Sequence, residues 1–122
     1  MMGRDKPRGF RRLVMAFGYS WRGLCSAWRE ESAFRQELAL ALLVIPAGLY
    51  FGRNGLERAM LIAPVFLILI VELLNSSIEA TVDRVGTDPH PLAAIAKDMG
   101  SAAVLVSFVL LGGIWCLILT DR

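Results

Sequence analysis

Residues 99–120 read MGSAAVLVSFVLLGGIWCLILT, 22 positions without a charge, closed on either side by Asp98 and Asp121. A bilayer core about 30 Å thick is crossed by roughly 17–25 helical residues. The stretch therefore reads as a transmembrane helix, and it decides how the rest of the chain is read. Upstream, the 20 positions between Arg58 and Glu79 hold one charge, Glu72, and the 15 between Glu37 and Arg53 hold none. Three such segments in 122 residues leave little for a soluble domain. Composition agrees: 56% of the residues are hydrophobic and 20% charged, against ~45–50% and about 25% in soluble domains. This pattern excludes a disordered chain, a disulfide-stapled secreted module and a nucleic-acid-binding protein. The net charge of +2 is too small to call for a polyanion. Cys25 and Cys116 have no paired or metal-like spacing,.

The expected organisation is a single all-α membrane domain over 1–122, with spans at 33–51, 56–83 and 92–120. Residues 52–55, Gly-Arg-Asn-Gly, stop the first span,. Residues 84–91 form a loop, because Pro89 and Pro91 interrupt a helix,. Residues 1–31 differ from the rest. Phe10, Leu13, Val14, Phe17, Trp21, Leu24 and Trp28 recur every three or four positions, one apolar stripe with Arg11, Arg12, Arg22 and Arg29 off it,. A helix with that division lies in the membrane interface; a soluble helix packed on a partner is the rival reading. Gly18 and Gly23 are candidate bends. A signal peptide does not fit, because no continuous apolar run follows the basic start.

Orientation follows from the cations. The first 37 residues hold eight of them: Arg4, Lys6, Arg8, Arg11, Arg12, Arg22, Arg29 and Arg35. With the N-terminus inside, Arg84 and Lys97 join them, and Arg53, Arg58 and Arg122 lie outside, ten against three,. Glu31, Glu79, Asp83, Lys97 and Asp98 then converge with Arg12 on the cytoplasmic face. Trp115 falls near the opposite interface, where an aromatic belt residue is expected.

The segment from Val71 to Asp83 carries the strongest chemical signal. At about 100° per residue, Glu72, Asn75, Glu79 and Asp83 share one helix face, along about 16 Å of axis. Carboxylates at membrane depth cost several kcal/mol unless paired or wetted, and they usually mark function. A purely structural alternative is helix cross-linking for Glu72 and a solvated helix end for Glu79 and Asp83. Two chemistries fit the stripe. In one, carboxylates hold Mg²⁺ or another divalent cation together with nucleotide phosphates. Lys97 and Arg12 neutralise phosphate charge, and Glu72 serves as general base. In the other, Glu72 belongs to a proton-coupled transporter or pore. The chain has no P-loop, so a nucleotide site must be built from side chains at helix ends.

Several blocks together resemble the small integral-membrane diacylglycerol kinases of bacteria, whose relatives include undecaprenol kinases. They are Gly18-Tyr19-Ser20-Trp21-Arg22-Gly23-Leu24 with Ala27-Trp28, Ala33-Phe34-Arg35-Gln36-Glu37, and Val71 to Ala80 with Val82-Asp83-Arg84. Ala96-Lys97-Asp98-Met99-Gly100-Ser101-Ala102-Ala103 completes the set. The likeness covers roughly residues 9–117, and Glu-x-x-Asn-x-x-x-Glu followed by Lys-Asp-Met-Gly-Ser is its specific signature. The resemblance implies Glu72 as general base, Asn75 as its orienting neighbour, and Glu31 and Glu79 as metal ligands. It further implies nucleotide contacts at Arg12, Tyr19, Glu31, Glu79, His90, Lys97 and Asp98. Lipid contacts are implied at Ser20, Trp21, Arg35, Glu72 and Ser101. The proline-bracketed Asp88-Pro89-His90-Pro91 loop departs from the family pattern.

The resemblance also implies a homotrimer with sites shared between subunits in the bacterial inner membrane. Three helices alone poorly hide a polar stripe from lipid. The expected activity is ATP-dependent phosphorylation of diacylglycerol to phosphatidic acid at the cytoplasmic interface. Undecaprenol is the alternative acceptor.

Overall fold

The computed structural model describes residues 8–122. Arg4, Asp5 and Lys6 of the basic start lie outside the described residues. Four helices follow one another: α1 (Gly9–Glu30), α2 (Ser32–Phe51), α3 (Gly55–Val85) and α4 (Pro91–Thr120). The last three are long and apolar enough to cross a membrane. At 1.5 Å per residue, α2 with 20 residues spans about 30 Å. The 31 residues of α3 and the 30 of α4 outrun it by about 15 Å. One end of the α3–α4 pair therefore projects beyond the start of α2.

The two longest helices begin on side-chain caps. Asn54 caps α3 by accepting from the Glu57 amide at 2.9 Å, and the Glu57 carboxylate reaches back to the Arg53 amide at 3.0 Å. This is a reciprocal arrangement of the capping-box kind. His90 caps α4, its Nδ1 accepting from the Leu92 amide at 3.1 Å. Pro91 follows at the first helical position, where a missing N–H costs nothing,. α1 runs unbroken through Gly18 and Gly23.

α3 is the central element, packed between α2 and α4. Leu61, Val65 and Ile68 are fully buried on its inner face. Their spacing of four and three residues continues along the same face to Glu72 and Asn75, also buried,. The stripe that forms the core thus turns polar within one helix. Gly48 lets α2 approach it: a Cβ there would fall 2.8 Å from Ile62 Cγ1 and 3.3 Å from Leu61 Cβ. Real side chains do not pack so tightly, so only glycine fits.

Near the far end, Arg122 bonds both Glu57, at 2.9 Å, and the Phe51 carbonyl, tying the end of α4 to the α2–α3 turn. Trp115 joins α4 to α3 near the same end. Its indole Nε1 does not serve a headgroup but donates to the Leu61 carbonyl at 3.0 Å, one turn before Pro64 inside α3. Pro64 removes the amide that would serve the Met60 carbonyl,, and the Trp115 bond to the neighbouring Leu61 carbonyl ties α4 to α3 beside that break. Trp115→Phe should lower stability by about 1 kcal/mol, read as an earlier thermal unfolding midpoint in detergent or bilayer. An unchanged midpoint would show that the bond contributes nothing.

Large apolar side chains remain uncovered. On α4, Leu105, Val106, Val109 and Leu117 are mostly exposed, and on α1 so are Phe10, Phe17, Trp21 and Trp28. The α1 stripe is largely uncovered from Phe10 to Phe17, while Trp21, Leu24 and Trp28 line a cavity with Phe34 and Leu38 of α2.

Candidate active site at one end of the bundle

Glu72 and Asn75 are 4% and 9% exposed, the deepest polar groups of α3. One turn further, Glu79 is half-buried, and its Oε1 accepts from Asn75 Nδ2 at 3.4 Å. Glu31, half-buried, is the single residue between α1 and α2. It approaches Glu72 closely enough for the two charges to interact, as Glu79 does. Two carboxylates from α3 and one from the hinge thus lie close enough for their charges to interact, although Glu31 and Glu72 are far apart in sequence.

A fourth carboxylate was given no role in the sequence reading. Glu37 on α2 is 6% exposed, and its Oε2 has no hydrogen-bond partner. Its charge interacts with that of Glu72. The structure shows why: Phe34, Glu37, Ala41 and Gly48 are the buried residues of α2. Spacings of three, four and seven put all of them on one helix face. Asn75 Oδ1 and Ser76 Oγ are likewise buried without a partner. Buried polar atoms normally find one, so this part of the bundle has unused capacity for polar ligands.

The cationic side is built by α4. Lys97 Nζ pairs with Asp83 Oδ1 at 2.8 Å across the α3–α4 interface, with both side chains about half exposed. Its charge also reaches Glu79. Gly100, one turn further along α4, lies against the Asn75 amide, where a Cβ would collide with Oδ1 and sit 3.2 Å from Cγ.

The remaining expected site residues are more dispersed. Arg12, Tyr19, Ser20 and Trp21 are exposed on α1, and Asp98 and Ser101 on α4. Tyr19 is covered by Arg22, whose guanidinium carbon lies 4.9 Å from the ring centroid. Among the described residues, no hydrogen bond or ion pair joins Arg12, Tyr19, Asp98 or Ser101 to the carboxylates within one protomer. Arg35 donates to the Trp28 and Arg29 carbonyls. His90 uses Nδ1 for the α4 cap, and its ring lines a cavity of about 630 Å³ with Asp83, Asp88 and Lys97. A second cavity of about 870 Å³ separates α1 from α3, lined by Ser20, Ala27, Glu31, Leu73, Ser76 and Ser77 among others.

Among the described residues, no three His, Cys, Asp or Glu side chains stand close enough to hold a metal ion by themselves. Mg²⁺ does not need such a cage, because one or two carboxylates suffice when substrate phosphates supply further oxygens. Glu31 and Glu79, both oxygen donors beside Glu72, fit that smaller set.

Comparison with known proteins shows the family. Residues 18–119 match the family described as prokaryotic diacylglycerol kinase. A protein named diacylglycerol kinase from Escherichia coli is 48% identical over 115 residues, covering 94% of each chain. One of the same name from Helicobacter pylori is 52% identical over 110 residues, 90% of this chain and 86% of the other. Another, from Pseudomonas aeruginosa, is 49% identical over 111 residues, 91% and 90% of the two. With the matched span including Glu31, Glu72, Glu79 and Lys97, the chain belongs to the prokaryotic diacylglycerol kinase family.

Proposed function

We propose that this membrane kinase transfers the γ-phosphate of ATP to the free hydroxyl of diacylglycerol, giving phosphatidic acid and ADP. The observation that carries the reading is the buried Glu72, met by Glu31 and Glu79 at one end of the bundle. The lipid hydroxyl lies beside Glu72, its acyl chains in the bilayer. Glu72 accepts the hydroxyl proton as the oxygen attacks the γ-phosphorus and the bond to the β–γ bridging oxygen breaks. Asn75, held by Glu79, orients the reacting groups. Glu31 and Glu79 would hold the divalent cation, whose contribution is to offset phosphate charge. Lys97 and Arg12 do the same from the protein side, Lys97 exchanging part of its contact with Asp83 for phosphate. Tyr19, His90 and Asp98 bind the nucleotide. Ser20, Trp21 and Ser101 contact the lipid, entering beneath the interfacial α1. The site and the N-terminus face the cytoplasm of a bacterial inner membrane, and three subunits complete three shared sites.

Two acceptors separate the readings of the substrate. Vesicles containing the protein and γ-labelled ATP should move label into diacylglycerol in preference to undecaprenol. Label in undecaprenol alone would overturn the acceptor assignment.

The metal assignment predicts that Glu31→Gln and Glu79→Gln raise the magnesium concentration needed for half-maximal rate, on the order of tenfold or more, as losing a charged oxygen donor requires. An unchanged magnesium titration in both variants would remove these residues from the metal. The shared-site assignment predicts complementation. Mixed oligomers of inactive Glu72→Gln chains with inactive Arg12→Ala or Lys97→Ala chains should regain measurable activity in at least one pairing. No recovery in any verified mixture would confine each site to one subunit.

A further inference from the structure

The junction of α1 and α2 is one residue long. Glu31, with φ −117° and ψ 106°, is the only extended residue between two helices. Its amide donates to the Ala27 carbonyl at 2.9 Å, and its carbonyl accepts from the Arg35 amide at 3.3 Å. Two soft torsions at such a residue leave the direction of the preceding helix open. Packing does little to close it. Ala27 is the only buried residue of α1, and Trp21, Leu24 and Trp28 leave a cavity between themselves and Phe34 and Leu38 of α2 rather than packing closely.

Arg35 closes it. From the first turn of α2, its Nη1 donates to the Trp28 carbonyl at 2.6 Å and to the Arg29 carbonyl at 3.3 Å. These are carbonyls of the last turn of α1, which have no amide partners within the helix. The guanidinium also sets a positive charge on the negative end of the α1 dipole. One side chain therefore fixes the angle between the interfacial helix and the first span.

We propose that Arg35 is a positioning residue that locks the α1–α2 hinge, so that Glu31 faces Glu72 and α1 lies over the site. This rests on the reading of Glu31 as a metal-holding carboxylate. It assigns Arg35 a part separate from lipid contact, through the backbone that carries Glu31. Arginine suits the part because the two hydrogens of one nitrogen serve two carbonyls at once. Lysine keeps the charge and has donors enough on its nitrogen, but not the rigid planar head that fixes their direction.

The test compares Arg35→Met and Arg35→Lys with the wild-type chain, full length in lipid nanodiscs. Hydrogen exchange at the amides of residues 27–34, measured without nucleotide or metal, reads the hinge itself. Exchange should quicken about tenfold in Arg35→Met and by less in Arg35→Lys. The magnesium concentration for half-maximal rate should rise on the order of tenfold in Arg35→Met, with partial rescue in Arg35→Lys. A general loss of folded protein would lower the rate without moving the magnesium requirement. Unchanged exchange in both variants overturns the proposal, and so does a raised lipid KM with an unchanged magnesium requirement. Faster exchange with an unchanged magnesium requirement in Arg35→Met would keep the clasp but end its link to Glu31. If Glu31→Gln also leaves that requirement unmoved, the fault lies in the reading of Glu31 and not in the hinge.

Discussion

Glu72→Gln is expected to lower kcat by a factor on the order of 10²–10⁴, the range lost when a positioned base is removed. The amide keeps the size of the side chain and much of its hydrogen bonding but cannot take the hydroxyl proton. Nucleotide binding should survive, because Glu31, Glu79 and Lys97 are untouched. Binding of a fluorescent ATP analogue and a steady-state rate therefore separate the two effects. A Glu72→Gln chain turning over near the wild-type rate would make Glu72 a structural residue. A structural role is itself demanding: Glu72 is 4% exposed, and a carboxylate held away from water needs compensation.

Gly100→Ala should produce the second large effect, through a residue with no chemistry of its own. The added methyl would occupy the space of Asn75 Oδ1. Either the amide turns away or α4 shifts from α3. Turning away breaks the 3.4 Å bond from Asn75 to Glu79, and shifting α4 moves Lys97 relative to Asp83 and Glu79. Displacements near 1 Å at a reacting centre cost about 10²-fold in rate, and an overpacked contact costs about 1–3 kcal/mol in stability. Both should be seen: a kcat lowered on the order of 10²-fold and an earlier unfolding midpoint. Full activity in Gly100→Ala would mean that Asn75 does not need its observed position.

What was legible in the chain, and what was not, divides along one physical line. Hydropathy reports whether a segment suits lipid, and the uncharged runs ending at Arg53 and Asp121 are local facts. So is the three-and-four spacing from Phe10 to Trp28, which places α1 at an interface. The stripe of Glu72, Asn75 and Glu79 is also local, because one helix displays it. Contacts between helices are another matter. The Lys97–Asp83 pair joins residues 14 positions apart across a turn, and Trp115 reaches Leu61 over 54 positions. No pattern within either segment specifies those meetings. Glu37 shows the boundary most clearly. Residues 38–52 are apolar on every face of α2, so neither the place of Glu37 on the packed face nor its closeness to Glu72 is visible before α2 is seen to lie against α3. Arg35 likewise reads as one more interfacial cation until the end of α1 is seen to lie within its reach.

We propose that the polar face of α3 carries phosphoryl transfer from ATP to a lipid hydroxyl. It is tested most directly by following γ-labelled ATP in vesicles of diacylglycerol and phospholipid, with wild-type and Glu72→Gln protein side by side. The predicted result is divalent-cation-dependent label in phosphatidic acid with the wild-type chain, and at most about a hundredth of that rate with Glu72→Gln. Label that stays in ATP, or that enters lipid equally fast with both proteins, would contradict it.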